Sequence, residues 1–349
     1  MSHNEYDWAV IGGGPAGIAA VGKLLDNKVN AKQLLWVDPE FKVGDFGQKW
    51  LHIPSNTKVG LFQRFLHEVA SFKFRQVHHQ FELSELDIDD TCLLTHIVEP
   101  LKWVTKQLRE QVQSIPGSVE HLQLRNGVWH LTLADQQLSA KQVILATGSE
   151  PKTLEYYDRV RSISLDTALN PELLKTECQN IERVAVFGSS HSAILALRNL
   201  VEAGVPSIIN FYKSPLRYAV YFEDWIMYDD TGLKGSTAQW AREYIDYDRV
   251  TSLKRYYSSE QNINKYLSSC QRVIYAVGFE RRQSLTISGL PTISYDRHSG
   301  IIAPGLFGFG IAYPESYITP LGNVAHRVGL WKFLDYLNRI MPIWLQYHA

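Results

Sequence analysis

Gly12, Gly14 and Gly17 form the pattern G-x-G-x-x-G, and Asp38 follows twenty-one residues after the last of them. These residue types at this spacing suit a dinucleotide. The first glycine permits a tight turn, the second lets the backbone approach a pyrophosphate, and the third lets a helix pack closely on a strand. The pyrophosphate then sits on a helix N-terminus, here opened by Pro15 and Ala16, and the acid accepts hydrogen bonds from a ribose diol. The motif has this meaning only when a strand leads into it and a helix leaves it. Trp8-Ala9-Val10-Ile11 is the apolar run before it, Ile18, Ala19, Val21, Leu24 and Leu25 carry a helical pattern after it, and Leu34-Leu35-Trp36-Val37 ends in Asp38. The bland alternative is a glycine-rich turn in some other α/β protein. Strand, helix and acid together favour the dinucleotide.

From Arg183 the pattern begins again. Val184 to Phe187 is strand-like, Gly188-Ser189-Ser190-His191-Ser192-Ala193 is a turn, Ile194 to Ala203 a helix, and Ser207 to Tyr212 the next strand. Gly188, Ser190 and Ala193 thus occupy the three glycine positions, with His191 beside them; alanine is accepted at the third. Lys213 and Arg217 follow the second strand in place of an acid, and such cations suit a ribose 2′-phosphate, favouring NADPH over NADH. An exposed basic loop is the plain alternative. Each half also closes on a strand ending in glycine: Gln142 to Gly148, with Ala146-Thr147-Gly148, and Val273 to Phe279, with Ala276-Val277-Gly278. Two dinucleotide-binding units are expected.

The elements that must position these residues are legible to different degrees. The stretch 41–58 is loop-like, leaving the second strand near the strand ends where ligands bind. Leu61 to Phe74 and Glu99 to Ile115 have helical periodicity, the latter with Pro100 in a favoured first-turn position. Asn126-Gly127 marks a hairpin between strands 119–124 and 128–133. Tyr221 to Trp240 is aromatic, acidic and irregular, suiting a cover or a partner contact, and Trp240 to Ile245 is a short helix. His78 and His79 belong to a solvated turn. Gly305 to Gly310 is a glycine-rich strand, after which Thr319 caps a helix running from Pro320 to about Leu337. Trp331, Phe333, Leu334, Leu337, Ile340, Met341, Trp344 and Leu345 form an apolar stripe for a core or a subunit interface.

The composition narrows the function classes. The 349 residues allow about two domains, and 35 basic against 36 acidic residues give no sign of a nucleic-acid or membrane-surface protein. Cys92, Cys178 and Cys270 are far apart, without C-x-x-C or metal-ligand spacing, so a zinc site, a disulfide scaffold and a dithiol centre are all disfavoured and no metal is expected. With no signal peptide before the first strand and no run of membrane-spanning length, the expectation is a cytoplasmic protein without stable membrane association.

Taken together, Gly12/Gly14/Gly17 with Asp38, Ala146-Thr147-Gly148, Gly188/Ser190/Ala193, Ala276-Val277-Gly278 and the terminal glycine strand and helix resemble the flavoproteins with two dinucleotide-binding domains. These are the pyridine nucleotide-disulfide oxidoreductases and flavin-containing monooxygenases, and the resemblance spans nearly the whole chain. It implies an α/β fold of two Rossmann-like three-layer domains. The NAD(P)H domain, about 153–286, would be inserted into a discontinuous FAD domain, 1–152 and 287–349. It assigns FAD to Gly12, Gly14, Pro15, Ala16, Gly17, Asp38, Trp50, Thr147, Gly148, Gly310, Thr319 and Leu321, and NAD(P)H to Gly188, Ser190, His191, Ala193, Lys213, Arg217 and Gly278.

Two departures limit the chemistry. The disulfide reductases carry a redox cysteine pair in the loop after the second strand, and those positions fall here on Gly47 and His52. Without a thiolate to attack a disulfide sulfur, dithiol exchange is excluded. The final family motif ends in Gly-Asp, whose aspartate bonds the flavin ribityl chain; here it is Gly310-Ile311. Trp50, Pro54, Ser55 and Asn56 resemble the corresponding loop of small flavin-containing and N-hydroxylating monooxygenases, whereas their F-x-G-x-x-x-H fingerprint is absent between Tyr156 and Arg183. The resemblance therefore implies an FAD-dependent oxidoreductase that passes hydride from NADPH or NADH through flavin to oxygen or a small organic acceptor, in the manner of a monooxygenase. In it the N-terminus of the terminal helix faces N1/O2 of the flavin, and His52 and Asn56 are the candidates at its reacting face. Alternatives are a reductase of a quinone-type acceptor and a degenerate flavoprotein serving as redox sensor or interaction module. The expected partner is a small-molecule substrate, with a homodimer as a further option.

Overall fold

The computed structural model describes residues 5–156, 159–290 and 293–347. Contacts divide the chain into two units, Met1–Leu51, Thr57–Ser149 and Arg281–Ala349 in the first, His52–Asn56 and Glu150–Glu280 in the second. The cuts set from sequence, at 152/153 and 286/287, lie a few residues further along the chain.

In the first unit, four strands run parallel in the order Gln137–Leu145, Glu5–Ile11, Leu34–Asp38 and Gln113–Pro116, and Leu306–Gly308 pairs parallel with the outer side of Gln137–Leu145. Ala9, Val10, Leu35, Trp36, Val143 and Ile144 are inaccessible to solvent, as expected of strands covered on both faces. Gln137–Leu145 is longer than its apolar half, because its first residues pair antiparallel with Val128–Thr132. That strand pairs in turn with His121–Arg125, across the Asn126-Gly127 turn. The helix Pro15–Asp26 buries Ile18, Val21 and Leu24. The C-terminal helix, Leu330–Gln346, buries Phe333, Leu334, Leu337, Ile340, Met341 and Trp344 in the core, while Trp331 and Leu345 of the same stripe are half-buried. Phe307 stacks on Trp344 with ring centroids 4.8 Å apart.

Several expected elements are displaced. The helix placed at 99–115 is Thr95–Arg109, and Gln113–Pro116 is the edge strand. Val112 and Ile115 fit a helical period, but backbone pairing with Leu35 and Val37 overrides it. Pro100 consequently lies inside the helix rather than in its first turn. The helix at 61–74 is Val59–Glu68; Lys73 at φ +54° then separates two 3₁₀ turns that still bury Phe72 and Phe74. The helix placed at 240–245 is an α-helical Gly235–Trp240 that continues with wider, π-type turns over Ala241–Asp246. The loop 41–58 contains a short helix, Gly44–Gln48, and a strand, Pro54–Lys58.

The largest correction concerns Thr319. The chain from 315 to 327 is a hairpin of Glu315–Ile318 and Val324–Arg327, and the terminal helix starts only at Leu330. The features that suggested a capped helix serve a turn instead. Pro320 takes the second position of a turn closed by Gly322 N–H donating to Thr319 O at 2.8 Å, Gly322 supplies φ +78°, and the Thr319 hydroxyl accepts from Asn323 N–H.

The second unit is a five-stranded parallel sheet in the order Ser162–Ile163, Arg272–Tyr275, Arg183–Phe187, Ser207–Tyr212, Leu253–Tyr257. The helix His191–Glu202 packs Ile194, Leu197 and Leu200 on one face, against Val184, Val186 and Ile208. Ala185, Phe187, Ile209 and Phe211 form a second core on the other. The stretch 221–240 holds a two-residue-strand hairpin, Val220–Tyr221 with Ile226–Met227, on which Phe222 stacks against Trp225.

Candidate functional site

Backbone geometry explains each glycine of the first motif. Gly12 takes φ +115°, and a Cβ on it would lie 2.2 Å from the Ala146 carbonyl oxygen. A Cβ on Gly17 would lie 1.9 Å from the Gly12 carbonyl oxygen, so only glycine lets the helix approach this closely. Gly14 differs: it has φ −74°, and a Cβ there would meet nothing within 4 Å, leaving an open space at the N-terminus of Pro15–Asp26. The turn is braced by Trp36, whose indole donates to Gly12 O at 2.9 Å.

Asp38, at the end of its strand, is buried. One carboxylate oxygen accepts from Gly13 N–H at 2.6 Å; the other accepts from Glu40 N–H and Phe41 N–H at 3.0 and 2.6 Å. It therefore fixes the glycine turn as well as the loop that follows. Acceptor capacity remains on the oxygen bonded to Gly13 alone.

A cavity in the first unit opens over this turn. Gly12, Gly14, Pro15, Ala16, Asp38, Trp50, Thr147 and Gly148, all expected at a cofactor site, line it. Gly17 and Gly310 are not on the lining: Gly17 packs on Gly12, and Gly310 packs on Ala16, whose Cβ a side chain there would meet at 2.5 Å. Thr319 and Leu321 are absent from it as well, because they form the hairpin turn. Val328, Gly329, Leu330 and Phe333 take their place, so the helix N-terminus at the cavity is that of Leu330–Gln346. Ile311 presents an apolar side chain where the family motif has aspartate.

Three further lining groups were not anticipated from the sequence and bear on the chemistry. Ser149 is buried, and its hydroxyl finds no hydrogen-bond partner among the described residues. Asp45, in the first turn of Gly44–Gln48, forms an ion pair with Arg282. Val43, just before it, is a buried β-branched residue at φ +66°, a strained conformation at the cavity wall. Its adjacency to Gly44 was the available signal for Val43, while the chain distance between Asp45 and Arg282 left none.

The residues fit FAD. The space beside Gly14 at a helix N-terminus suits a diphosphate, Asp38 suits a ribose diol, the buried Ser149 hydroxyl lacks a partner, and Phe46, Trp50, Phe309, Leu330 and Phe333 supply apolar walls for a planar ring.

The second unit repeats the turn with looser tolerances. Gly188 has φ +128°, and a Cβ on it would sit 2.3 Å from Ala276 O, as at Gly12. Asn210 takes the place of Trp36, its amide donating to Gly188 O at 2.8 Å. Strand register puts Tyr212, one residue past Phe211, where Asp38 stands one past Val37. Lys213 and Arg217 are exposed beyond it, Arg217 with its guanidinium 5.3 Å from the Tyr228 ring. His191 begins the helix after the turn, and its imidazole donates to the Pro54 carbonyl. Burial lowers its pKa more than that bond raises it, and Lys234 lowers it further.

His52 and Asn56 are exposed, belong to the segment grouped with the second unit, and are not among the cavity-lining residues. No cysteine lines the cavity. Burial pushes the Cys178 and Cys270 thiols up to about 11 each, so neither is a thiolate near neutrality.

Comparison with known proteins gives the same picture. The model of the pyridine nucleotide-disulphide oxidoreductase family matches residues 6–307, and the chain belongs to that family. Monooxygenase AgnR1 from Paecilomyces divaricatus is 34% identical over 381 aligned residues, covering 96% of this chain and 97% of its own. Among solved structures, the fold is similar to the L-lysine 6-monooxygenase of Pseudomonas syringae, with TM-score 0.68, 14% identity, and 98% and 99% of the two chains covered. It is similar also to DfoA, the cadaverine monooxygenase of Erwinia amylovora, with TM-score 0.70, 12% identity, and 99% and 95% covered. The bacillithiol disulfide reductase of Staphylococcus aureus follows at TM-score 0.64 and 14% identity, with 98% of each chain covered. The chain is thus an FAD-dependent pyridine nucleotide oxidoreductase, monooxygenase-like and without the redox cysteine pair. Among the described residues, no helix is long and apolar enough to cross a membrane.

Proposed function

We propose that the protein is an NADPH-dependent flavin monooxygenase acting on a small molecule. The observation that carries this reading is the sulfur-free, largely apolar wall of the cofactor cavity. The 34% identity to a named monooxygenase over nearly the full length supports it.

Bound FAD supplies the chemistry: it takes two electrons from the nicotinamide and passes them to oxygen. The chain supplies position and field. The open space at Gly14 takes the diphosphate on the N-terminus of Pro15–Asp26, and Asp38 holds the ribose. The N-terminal turn of Leu330–Gln346, with Gly329 and Leu330 on the lining, puts the positive end of a seventeen-residue helix at the cavity. That end favours negative charge on a bound ring. The aromatic and aliphatic walls exclude water from it. Tyr212 in place of an acid, with Lys213 and Arg217 beyond, favours a 2′-phosphate and therefore NADPH.

The test is anaerobic bleaching of the purified yellow protein by NADPH and by NADH, followed by turnover under ¹⁸O₂ with candidate substrates. Bleaching by NADPH with ¹⁸O in the product supports the reading. Electron delivery to a quinone without oxygen uptake replaces it with the reductase reading, and no bleaching by either nucleotide sinks both.

A further inference from the structure

The hairpin Glu315–Ile318 and Val324–Arg327 has two unlike faces. On one, Glu315 receives a paired Arg339 from the terminal helix at 2.9 Å through each carboxylate oxygen, and Arg327 reaches Asp335 at 3.1 Å. Arg327 also lies over the Tyr317 ring at 4.8 Å. These contacts fasten the hairpin to Leu330–Gln346. Strand alternation puts Ser316 and Ile318, with their partners His326 and Val324, on the other face, and Val328 directly follows the second strand. Ser316 is buried, whereas the aliphatic residues are open to solvent: Ile318 is 74% exposed, Val324 67% and Val328 41%. Leu321, at the tip, is 53% exposed. A hairpin with one anchored polar face and one bare apolar face is built to meet something.

What it meets follows from where it leads and from charge. Val328 is also a wall of the cofactor cavity, so the second strand of the hairpin leads directly onto the cavity wall. Two polar groups share this face: His326, exposed, is hydrogen-bonded through Nδ1 to the hydroxyl of the buried Ser316 at 2.9 Å. That bond orients the imidazole. Of the two carboxylates on the cavity lining, Asp45 is paired with Arg282 and Lys49, and Asp38, tied by three backbone N–H groups, has acceptor capacity left only on the oxygen that the cofactor ribose would take. A primary ammonium group entering there finds no carboxylate to spare. We propose that Ile318, Val324 and Val328, with His326 among them, form the substrate lip of the cavity, and that it takes an uncharged apolar molecule bearing a hydroxyl rather than a cationic amine. The proposal rests on the reading of the cavity as a flavin monooxygenase site and names its substrate class.

Equilibrium dialysis of the FAD-loaded protein against 4-ethyl-, 4-butyl- and 4-hexylphenol, with cadaverine for comparison and no NADPH present, tests it. Each added methylene should tighten binding about two- to fourfold, in line with burial of apolar surface. Cadaverine should bind at least tenfold more weakly than 4-butylphenol. Val324→Asp should weaken 4-hexylphenol about tenfold or more and flatten the chain-length series, with flavin content and melting temperature as the controls for folding. Should that variant lose flavin, Ile318→Ser, at a more exposed position, answers the same question. His326→Ala should weaken all three phenols by a similar factor and leave the series slope intact. An unchanged series in a flavin-loaded lip variant, or cadaverine binding that matches 4-butylphenol, overturns the lip. Since no turnover is involved, phenol bound at the lip but never oxygenated with NADPH and O₂ upholds the lip and sinks the monooxygenase reading instead.

Discussion

Two alanine substitutions in one turn should fail in different ways. At Gly17 a Cβ would stand 1.9 Å from the Gly12 carbonyl oxygen and 2.9 Å from its carbon, and both obstacles are backbone. Ordinary contact needs about 1.5 Å more, which only a shift of helix against strand can supply; overpacking of this kind costs on the order of 3 kcal/mol or more. Gly17→Ala should therefore lower the stability of the flavin-free protein by that amount. At Gly14 the backbone, with φ −74°, accepts alanine, and a Cβ meets nothing within 4 Å. Loss of a glycine at a helix N-cap and the stiffer unfolded chain pull in opposite directions, each by under about 1 kcal/mol. Gly14→Ala should leave flavin-free stability within about 1 kcal/mol of the parent and still weaken FAD by 100-fold or more, because the methyl occupies the diphosphate space. Urea unfolding of the flavin-free proteins and fluorimetric FAD titration measure the two quantities. A Gly14→Ala protein that binds FAD within fivefold of the parent would refute the placement of the diphosphate. A Gly17→Ala protein of parental stability would refute the account of the turn.

Further expectations follow from the same geometry. Arg217→Glu should lower kcat/KM for NADPH about 10- to 100-fold and change that for NADH less than threefold, as steady-state kinetics with both nucleotides would show. Ser149→Ala should weaken FAD about three- to tenfold, the loss of one hydrogen bond to a buried hydroxyl, with little change in flavin-free stability. His191 has its folded pKa depressed, first by burial. The unfolded chain therefore binds the extra proton first, and the stability this group contributes above pH 6.5 should fall as pH drops from there through its folded pKa. Replacing His191 by Gln should flatten that limb of a melting-temperature profile. Thiol labelling of the folded protein at pH 7.5 should spare Cys178 and Cys270, whose thiols ionise only near pH 11.

The parts of the fold legible in the sequence were those where one local requirement had one solution. Gly17 is dictated by a backbone clash with Gly12 five residues away, and Gly12 by its positive φ beside the Ala146 carbonyl, so motif, strand and helix could be read together. Strand Leu34–Asp38 was clear because five consecutive buried residues leave no polar face. The errors came where the same residues serve two structures. Thr319-Pro320-Leu321-Gly322 carries a capping oxygen, a fixed φ and a helix-compatible leucine, and these build either a helix start or a turn. Tertiary pairing of Tyr317 with Ala325 and Ile318 with Val324 decided it. The β-branched residues Ile318, Val324 and Val328 on both sides of the turn were the overlooked signal. Asp45 and Arg282 lie 237 residues apart, and no local pattern announces their pairing.

The two turns, compared within one chain, show which features a dinucleotide demands and which are negotiable. Both keep the first glycine at strongly positive φ against an alanine carbonyl, and both brace its carbonyl with a side chain from the neighbouring strand, Trp36 in one and Asn210 in the other. The third position differs. Gly17 cannot become alanine without a collision at 1.9 Å, whereas Ala193 already occupies the equivalent place, its Cβ 3.0 Å from where a Cβ on Gly188 would stand. The second helix must therefore sit further from its turn. The end of the second strand differs too, Asp38 in one and Tyr212 in the other. Asp38 is tied to the backbone of its own turn and following loop by three hydrogen bonds, so it shapes the site whether or not a ribose is present. Tyr212 makes no such tie through a carboxylate, and cations follow it. A tightly closed turn with a built-in acid suits a cofactor that stays, and a looser turn fringed by Lys213 and Arg217 suits a nucleotide that comes and goes with each turnover.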